Sequence, residues 1–295
     1  MLLSKVLQFV ITGVANGAIY ALIALGFTLI YNSRQIINFA QGEFVVIGGM
    51  AAYTFYVTAH LPLPVALLAA ILVVTLLGVA FERFVILPLK NAASISLIIA
   101  TIGMSIFLRT GAMLIWGKEA MTLPHFFGDK PWNIMGATIL PQQIFIIAIT
   151  LVIVVGMQLF FRLTVTGKAM LAASMNPEAA RLMGIRSERM VMYSFAFSAA
   201  LGAVAGVSIA PLVMMSFGSG AALGIKGFSA AILGGLTNPL GAVLGGLSLG
   251  VIESVGAGLI SSAFKEAIAL IVLLMVLLIK PSGVFGKIGT RRHAR

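Results

Sequence analysis

The chain has 295 residues, of which 60% are hydrophobic and only 9% are charged, and its formal net charge at pH 7 is +11. Because an ordinary soluble domain is about one quarter charged, this composition excludes a soluble enzyme and a disordered chain. The lack of cysteine excludes a disulfide-stabilised domain. A mean hydropathy of +1.12 indicates an integral membrane protein in contact with lipid. The basic residues lie between apolar runs and form no nucleic-acid-binding motif, so no nucleic-acid partner is expected.

The apolar runs predict an all-α polytopic membrane protein. A membrane-spanning helix needs about 20 apolar residues to cross about 30 Å of hydrocarbon, and the stretches poor in charge supply nine such segments. The segments 44–60 and 223–236 are short or interrupted, so the sequence predicts eight or nine transmembrane or partly broken helices in a single domain, 1–295. The predicted segments are 6–31, 44–60, 63–81, 92–115, 141–161, 190–212, 223–236, 240–258 and 264–280.

The loops predict an orientation in the membrane. The loop 162–189 and the tail that starts at residue 280 each contain five Lys or Arg residues, and the turn 82–90 contains two. Since Lys and Arg are enriched in cytoplasmic loops, these three segments, and with them the C-terminus, are predicted to be cytoplasmic. The loop 116–140 balances its two lysines with two acidic residues and contains two tryptophans. It is therefore predicted to be external, as is the N-terminus.

Two interruptions break the apolar pattern, one in each half of the chain. Residues 38–43 place amide and carboxyl groups directly before an apolar run, and residues 224–246 are rich in glycine and contain an Asn-Pro step. Broken backbone at membrane depth is tolerated only inside protein or along a wet cavity, and paired breaks point to a pathway between two pseudo-symmetric halves. The residues predicted to line this translocation pathway are Asn38, Gln41, Gly42, Glu43, Lys226 and Asn238.

Other interpretations of these residues remain open at this point. Asn38, Gln41 and Glu43 could instead cap a helix at the cytoplasmic surface, where an acid in the first turn suits the helix dipole. The Gly-Gly pairs are typical of close helix packing. Arg109 is interpreted as a structural side chain that snorkels outward, and Lys226 and Glu253 either lie near helix ends or form an inter-helix pair. The three histidines lack metal-ligand spacing, so no metal site is predicted.

A short helix is predicted inside the loop 162–189. Asn176 is a favourable N-cap, Pro177 suits the first helical position, Glu178 complements the dipole, and Gly184 provides a stop. A helix of roughly two turns is too short to be stable alone, so it needs a surface to lean on, either a partner protein or the lipid interface. Its residues are Asn176, Pro177, Glu178, Ala179, Ala180, Arg181, Leu182, Met183 and Gly184.

Five segments in one order also carry a resemblance to a known family. They are Gly26-Phe27-Thr28-Leu29-Ile30-Tyr31, the stretch Ile37-Asn38-Phe39-Ala40-Gln41-Gly42-Glu43-Phe44, residues 176–185, residues 227–246, and Lys280-Pro281-Ser282-Gly283-Val284-Phe285-Gly286. With these segments, the chain resembles a permease subunit of bacterial ATP-binding cassette importers, specifically the high-affinity branched-chain amino acid permease family. The resemblance runs from the first predicted helix to the last.

The resemblance implies a mechanism and a set of partners. Two related permease subunits would form the pore in the bacterial inner membrane, two cytoplasmic ATPases would drive it, and a periplasmic binding protein would deliver substrate. The helix 176–184 matches the family's coupling segment, which docks on the ATPase. The chain has no Gly-x-x-x-x-Gly-Lys-Ser/Thr loop, so it is expected to be neither an enzyme nor a cofactor-binding subunit, with ATP used by its partners.

The substrate and two rival functions stay open in the sequence. Branched-chain or other hydrophobic amino acids are the expected substrates, while relatives of the family also carry other amino acids, urea or short amides. An ion-coupled secondary carrier or channel would need a membrane-embedded carboxylate, for which Glu43 and Glu253 are the candidates. A non-transporting scaffold would explain the loop helix but not the polar residues at two helix breaks.

Overall fold

The apolar segments fold as helices because a helix satisfies its own backbone N–H and C=O groups, which hydrocarbon cannot do. A computed structural model describes residues 2–128, 130–134 and 136–286, and this part of the chain forms eleven α-helices. The helices are α1 Leu2–Arg34, α2 Gln41–Tyr53, α3 Leu63–Phe81, α4 Ser94–Trp116, α5 Pro141–Leu163, α6 Val165–Met175, α7 Pro177–Leu182, α8 Ser187–Ile209, α9 Ser219–Gly234, α10 Pro239–Leu259 and α11 Lys265–Ile279. Short π-helical turns, Thr54–Thr58 and Glu82–Ile86, extend α2 and α3, and a 3₁₀ turn, Ser262–Phe264, precedes α11.

The all-α polytopic prediction is confirmed. Seven of the described helices are long and apolar enough to cross a membrane, namely α1, α3, α4, α5, α8, α10 and α11. The two remaining predicted segments, 44–60 and 223–236, fold as the shorter helices α2 and α9, which agrees with their interrupted sequences. The division into two pseudo-symmetric halves stays a prediction.

Two loops contain structure that the hydropathy pattern does not predict. Within 162–189, helix α6 precedes the short helix α7. The Thr164 hydroxyl caps the N-terminus of α6 by accepting a hydrogen bond from the Gly167 N–H at 2.9 Å. Within 116–140, strands β1 Trp132–Ile134 and β2 Ala137–Ile139 form an antiparallel hairpin. Helix α6 and the hairpin are both short and partly polar, so neither produces an apolar run long enough to be predicted from the hydropathy pattern.

Side-chain contacts bring distant loops to the same end of the bundle. Lys90 Nζ pairs with Glu188 Oε1 at 2.8 Å, and Asn238 Nδ2 donates to the Phe285 carbonyl oxygen at 3.1 Å. The last turn of α1 is hydrogen-bonded to both pairs of elements, so the turn after α3, the start of α8 and the segment after α11 lie together, at what we call the basic end. Residues 287–295 of the predicted cytoplasmic tail lie outside the described residues.

The opposite end carries the β-hairpin and is called the hairpin end. Gln8 Oε1, in the second turn of α1, accepts a hydrogen bond from the Thr138 N–H at 2.6 Å. Trp116, at the end of α4, donates from Nε1 to Thr54 Oγ1 at 2.6 Å. The N-terminal turns and the loop 116–140 thus share one end, while the loop 162–189 lies at the other. That the basic end faces the cytoplasm stays a prediction.

Glycine lets the central helices approach closely. Helices α1 and α10 each contribute two glycines four residues apart, a spacing typical of close membrane-helix contacts. A Cβ atom added at Gly246 would lie 2.5 Å from the Ala21 backbone nitrogen, and one added at Gly13 would lie 2.7 Å from Val251 Cα. The expectation that the Gly-Gly pairs serve packing is confirmed, since Gly48 meets Ala203 in the same manner.

We expect Gly246→Ala to weaken the α1–α10 contact, because the added methyl group overlaps backbone that cannot rotate away. The free energy of unfolding should fall by about 1–3 kcal/mol, the usual cost of overpacking, in an SDS titration of the detergent-solubilised chain. Gly156→Ala is the matched control, since a Cβ atom at Gly156 meets nothing within 4 Å. An equal loss of stability in both variants would contradict the close-contact interpretation.

Candidate translocation site and docking helix

The chain re-enters the protein between α1 and α2. Gln35, the first residue after α1, has a positive φ of 56°, which turns the chain back toward the bundle. The Thr101 hydroxyl then accepts a hydrogen bond from the Phe39 N–H at 3.3 Å, and its oxygen lies 3.3 Å from the Ile37 carbonyl oxygen. Because Thr101 lies seven residues into α4, a rise of 1.5 Å per residue places this contact about 10 Å from the basic end of that helix.

Helix α2 begins midway between the basic end and the hairpin end of the helix bundle, a level that we call mid-depth. The Ser105 hydroxyl donates to Glu43 Oε1 at 3.1 Å, and Ser105 is the twelfth of the 23 residues of α4. Gln41 Nε2 donates to the Ser198 carbonyl oxygen at 3.0 Å, and the Ser198 hydroxyl donates to Gln41 Oε1 at 2.6 Å. Ser198 is likewise the twelfth of the 23 residues of α8. Two independent helices therefore place Gln41 and Glu43 midway, and the surface-cap interpretation is wrong.

Helix α9 begins at the same depth and runs the other way. A Cβ atom at Gly220, in the first turn of α9, would lie 2.5 Å from Glu43 Oε2, and one at Gly42 would overlap the Gly220 carbonyl. Helix α2 proceeds to the hairpin end and α9 to the basic end, so both N-termini meet at mid-depth. Each helix N-terminus carries a partial positive charge, which suits an anionic group such as the Glu43 carboxylate.

Two buried polar atoms in residues 38–43, which we call the break, have no hydrogen-bond partner among the described residues. Asn38 is fully buried and its Oδ1 accepts from the Ala40 N–H at 3.1 Å, but its Nδ2 has no partner among the described residues. Glu43 is only 2% exposed, and its Oε2 is also without a hydrogen-bond partner in the described part of the chain. Buried polar atoms are nearly always paired, so these two are the atoms of the break that have unused hydrogen-bonding capacity.

The remaining predicted pathway residues lie elsewhere. Lys226, six residues beyond Gly220 along α9, donates to Glu253 Oε1 at 2.9 Å. The same oxygen accepts from the Tyr20 hydroxyl at 3.2 Å and lies 3.6 Å from Lys265 Nζ. Of the two interpretations of Lys226 and Glu253, the inter-helix pair is therefore the one that the structure shows. Asn238 lies at the basic end, bonded to the segment after α11 as described above.

The buried pair predicts a measurable coupling between two residues. The Glu253 carboxylate is 1% exposed, and Lys226→Met leaves it with only the longer contacts to Tyr20 and Lys265. This substitution should lower the free energy of unfolding by about 3 kcal/mol. The double variant Lys226→Met with Glu253→Gln should recover most of that loss in the same SDS titration. Lys90→Met is the control, because the Lys90–Glu188 pair is 44% and 47% exposed and is worth less than about 1 kcal/mol. A double variant as unstable as the sum of the single ones would contradict the coupling.

The predicted short helix forms as α7 at the basic end. Asn176 Oδ1 accepts hydrogen bonds from the Glu178 and Ala179 N–H groups at 3.1 and 3.0 Å, as an N-cap does. Gly184, with a φ of 80°, ends the helix, and the Ile185 N–H donates to the Ala180 carbonyl oxygen at 2.9 Å.

One face of α7 packs against the protein, and the other face is exposed in the described part of the chain. Ala180 is buried, and the Ser187 hydroxyl at the start of α8 donates to the Pro177 carbonyl oxygen at 3.2 Å. Leu182 and Met183 are 89% and 82% exposed. A small helix fixed to α8 therefore presents two large apolar side chains outward, between the charged residues of the loop.

The residues that form hydrogen bonds with the break were not predicted from the sequence. Ser105, Ser198 and Thr101 lie within apolar runs, where a single hydroxyl gives no signal of its own. The Arg109 guanidinium lies over the ring of Phe217, with Cζ 5.7 Å from the centroid, a contact that the sequence did not predict, and its outward snorkelling stays a prediction. A charged residue inside an apolar helix was the one available signal.

Comparisons with known proteins match this chain over nearly its whole length. A family model described as "Branched-chain amino acid transport system / permease component" matches residues 9–279. The high-affinity branched-chain amino acid transport system permease protein BraD of Pseudomonas aeruginosa is 34% identical, covering 95% of this chain and 96% of BraD. The corresponding LivH protein of Salmonella typhimurium is 32% identical with the same coverage. A probable LivH permease of Methanocaldococcus jannaschii is 29% identical, covering 90% of this chain and 88% of that protein.

Proposed function

Because this chain belongs to the family of branched-chain amino acid transport system permease components, we propose that it is the membrane-spanning subunit of an ATP-driven importer. The substrates of this importer are branched-chain or other hydrophobic amino acids. It operates in the bacterial inner membrane, with the basic end toward the cytoplasm. The chain itself is a transport subunit that binds no cofactor, and its partners hydrolyse ATP.

The observation that carries the proposal is the meeting of α2 and α9 at mid-depth. Two helices that begin inside the membrane leave their first N–H groups without intrahelical partners, an arrangement tolerated only next to protein or a wet cavity. Discontinuous helices of this kind form substrate sites at the middle of transporter folds. Asn38, Gln41, Gly42 and Glu43 therefore remain the proposed pathway residues, whereas Lys226 and Asn238 support the neighbouring helices.

The face beside the break supports a second permease subunit as partner. Arg109 on α4 is exposed at a depth where lipid would surround a lone subunit, and a charge facing hydrocarbon is costly. A related subunit packed against this face would enclose Arg109 in a water-filled pathway. Lipid covers the strongly apolar exposed faces of α3 and α5.

The basic end supports docking of two ATPases on the pair of permeases, one to each subunit. Helix α7 presents Leu182 and Met183 outward with Glu178 and Arg181 exposed beside them. Exposed apolar side chains held on a rigid helix are what a groove in a partner protein recognises. The hairpin end, on the opposite side, is the proposed landing surface for a periplasmic binding protein.

The primary experiment is purification of the tagged chain from its native host in mild detergent, followed by identification of what accompanies it. We expect a second permease and a stoichiometric ATPase. Reconstituted with the binding protein, the complex should import L-leucine only when ATP is supplied, and urea should not compete. A homo-oligomer without ATPase would contradict the importer.

An ion-coupled carrier is the second candidate, because Glu43 in the short helix α2 and Glu253 in the membrane-spanning helix α10 are both buried carboxylates. Such a carrier would transport without ATP and would stop when an ionophore collapses the ion gradients. The importer predicts the reverse, since collapse of the gradients with ATP maintained should leave uptake intact. Glu253→Gln should then affect stability more than the ATP dependence of uptake.

Charge reversal on α7 tests the docking helix. Exchanging the charges with Glu178→Lys and Arg181→Glu should leave insertion and folding intact, because both side chains are exposed, but should reduce ATP-driven uptake at least tenfold by weakening ATPase binding. The control exchanges Lys118→Glu and Glu119→Lys, an exposed pair of charges in the loop 116–140, and is compared only for co-purification of the ATPase, because its end of the bundle is the proposed landing surface for the binding protein. Co-purification of the ATPase and uptake in proteoliposomes are the measurements. Normal uptake by the α7 variant would contradict docking at this helix.

A further inference from the structure

Arg109 is an exposed charge surrounded by apolar side chains. It is one helical turn beyond Ser105 on α4, and the exposed residues Ile102 and Ile106 precede it at helical spacing. The Cα–Cβ bonds of a helix tilt toward its N-terminus, which directs Arg109 away from Trp116 and the nearer membrane surface. Its guanidinium lies over Phe217 and close to Gly218, where α9 starts. This cation is therefore available to a ligand at mid-depth.

The complementary negative group is Glu43. Its Oε2 is buried against Gly220 in the first turn of α9 and has no hydrogen-bond partner in the described part of the chain. The ion pairs found among the described residues involve Glu188 and Glu253, and none of them includes Glu43. Arg109 and the Glu43 carboxylate thus both lie beside the α9 N-terminus, at Gly218 and Gly220, where they attract each other electrostatically without forming an ion pair within 4 Å.

Small residues line the approach to these two groups. Gly218, Gly220 and Ala221 lie at the start of α9, and Ala221 is exposed. The backbones of Gly42 and Gly220 are in close contact where α9 meets α2, so a ligand reaches the carboxylate only when α9 moves away from α2.

We propose that Arg109, Glu43 and the N-terminus of α9 form a transient site for the zwitterionic head group of an α-amino acid. The ligand carboxylate is bound by the Arg109 guanidinium and the partial positive charge of the helix end, and the ligand ammonium group by Glu43 Oε2. Ile102, Ile106 and the exposed Ile225 of α9 provide apolar surface for an aliphatic side chain. The site rests on the proposed importer function and names the chemical features of the substrate that the pathway recognises.

The test uses the assembled importer and a single cysteine, since the native chain has none. Ala221→Cys places a thiol at the site, and Ala59→Cys places one at an exposed control position after α2. L-leucine should slow maleimide labelling of the first cysteine and not of the second. Isoamylamine, which is leucine without its carboxylate, and isocaproate, which is leucine without its ammonium group, should both fail to protect at the same concentration.

Substitution of the two charges supplies the second part of the test. Arg109→Gln and Glu43→Gln should each raise the leucine concentration needed for protection at least tenfold and slow ATP-driven leucine uptake, whereas Arg109→Lys should retain part of both. Lys118→Gln, an exposed charge just beyond α4, is the matched control for leucine protection alone, because its end of the bundle is the proposed landing surface for the binding protein. Gel filtration and co-purified ATPase establish that each variant is folded and assembled, and Arg109→Lys tests the same cation should Arg109→Gln fail to assemble.

The outcomes separate the site from the function. If the wild-type complex imports leucine with ATP but leucine gives no protection, or if both analogues protect equally well, the zwitterion site is overturned and the importer stands. Unchanged protection and uptake in both charge variants would overturn it as well. A wild-type complex that does not move leucine with ATP contradicts the importer function itself.

Discussion

A helix that starts inside a membrane must find partners for its polar groups within the protein, and this constraint shapes the centre of the molecule. The segment before α2 meets it with Thr101, whose hydroxyl bridges the Ile37 and Phe39 backbone, and with the Asn38 side chain, which accepts from Ala40. The polar break depends on the surrounding helices for its hydrogen bonds and also determines where those helices need hydroxyl groups.

The surrounding framework is held by two different kinds of contact. Glycines bring α1 and α10 together until their backbones touch, which fixes the central helices through close packing. The buried carboxylate of Glu253 connects α10 to α1, α9 and α11 through Tyr20, Lys226 and Lys265. Around the break, by contrast, polar atoms of Asn38 and Glu43 remain without partners in the described residues. The structure thus combines a closely fitted frame with a centre whose hydrogen bonding is incomplete.

Much of the fold could be predicted from the sequence because charges and prolines mark where apolar runs end. Helix α7 could also be predicted, since Asn176 and Gly184 act on neighbouring residues within one short segment. The depth of Glu43 could not, because the same local sequence caps a helix at a surface or at mid-membrane. Its position depends on Ser105, and that of Gln41 depends on Ser198, 157 residues further along the chain. The direction of Arg109 depends in the same way on Phe217, which no local pattern connects to it.

Helix α8 joins the proposed docking helix α7 to the proposed translocation site at the start of α2. Its first residue, Ser187, is bonded to α7, and its middle residue, Ser198, is bonded both to Gln41 and, through its hydroxyl, to the Gly26 carbonyl oxygen. The eleven helical steps from Ser187 to Ser198 span about 16 Å of continuous helix, without a loop that would absorb displacement. Helix α8 is therefore a rigid link between α7 and α2. A force on Leu182 and Met183 would displace α8 along its axis and so shift the start of α2, with little bending of the helix between them.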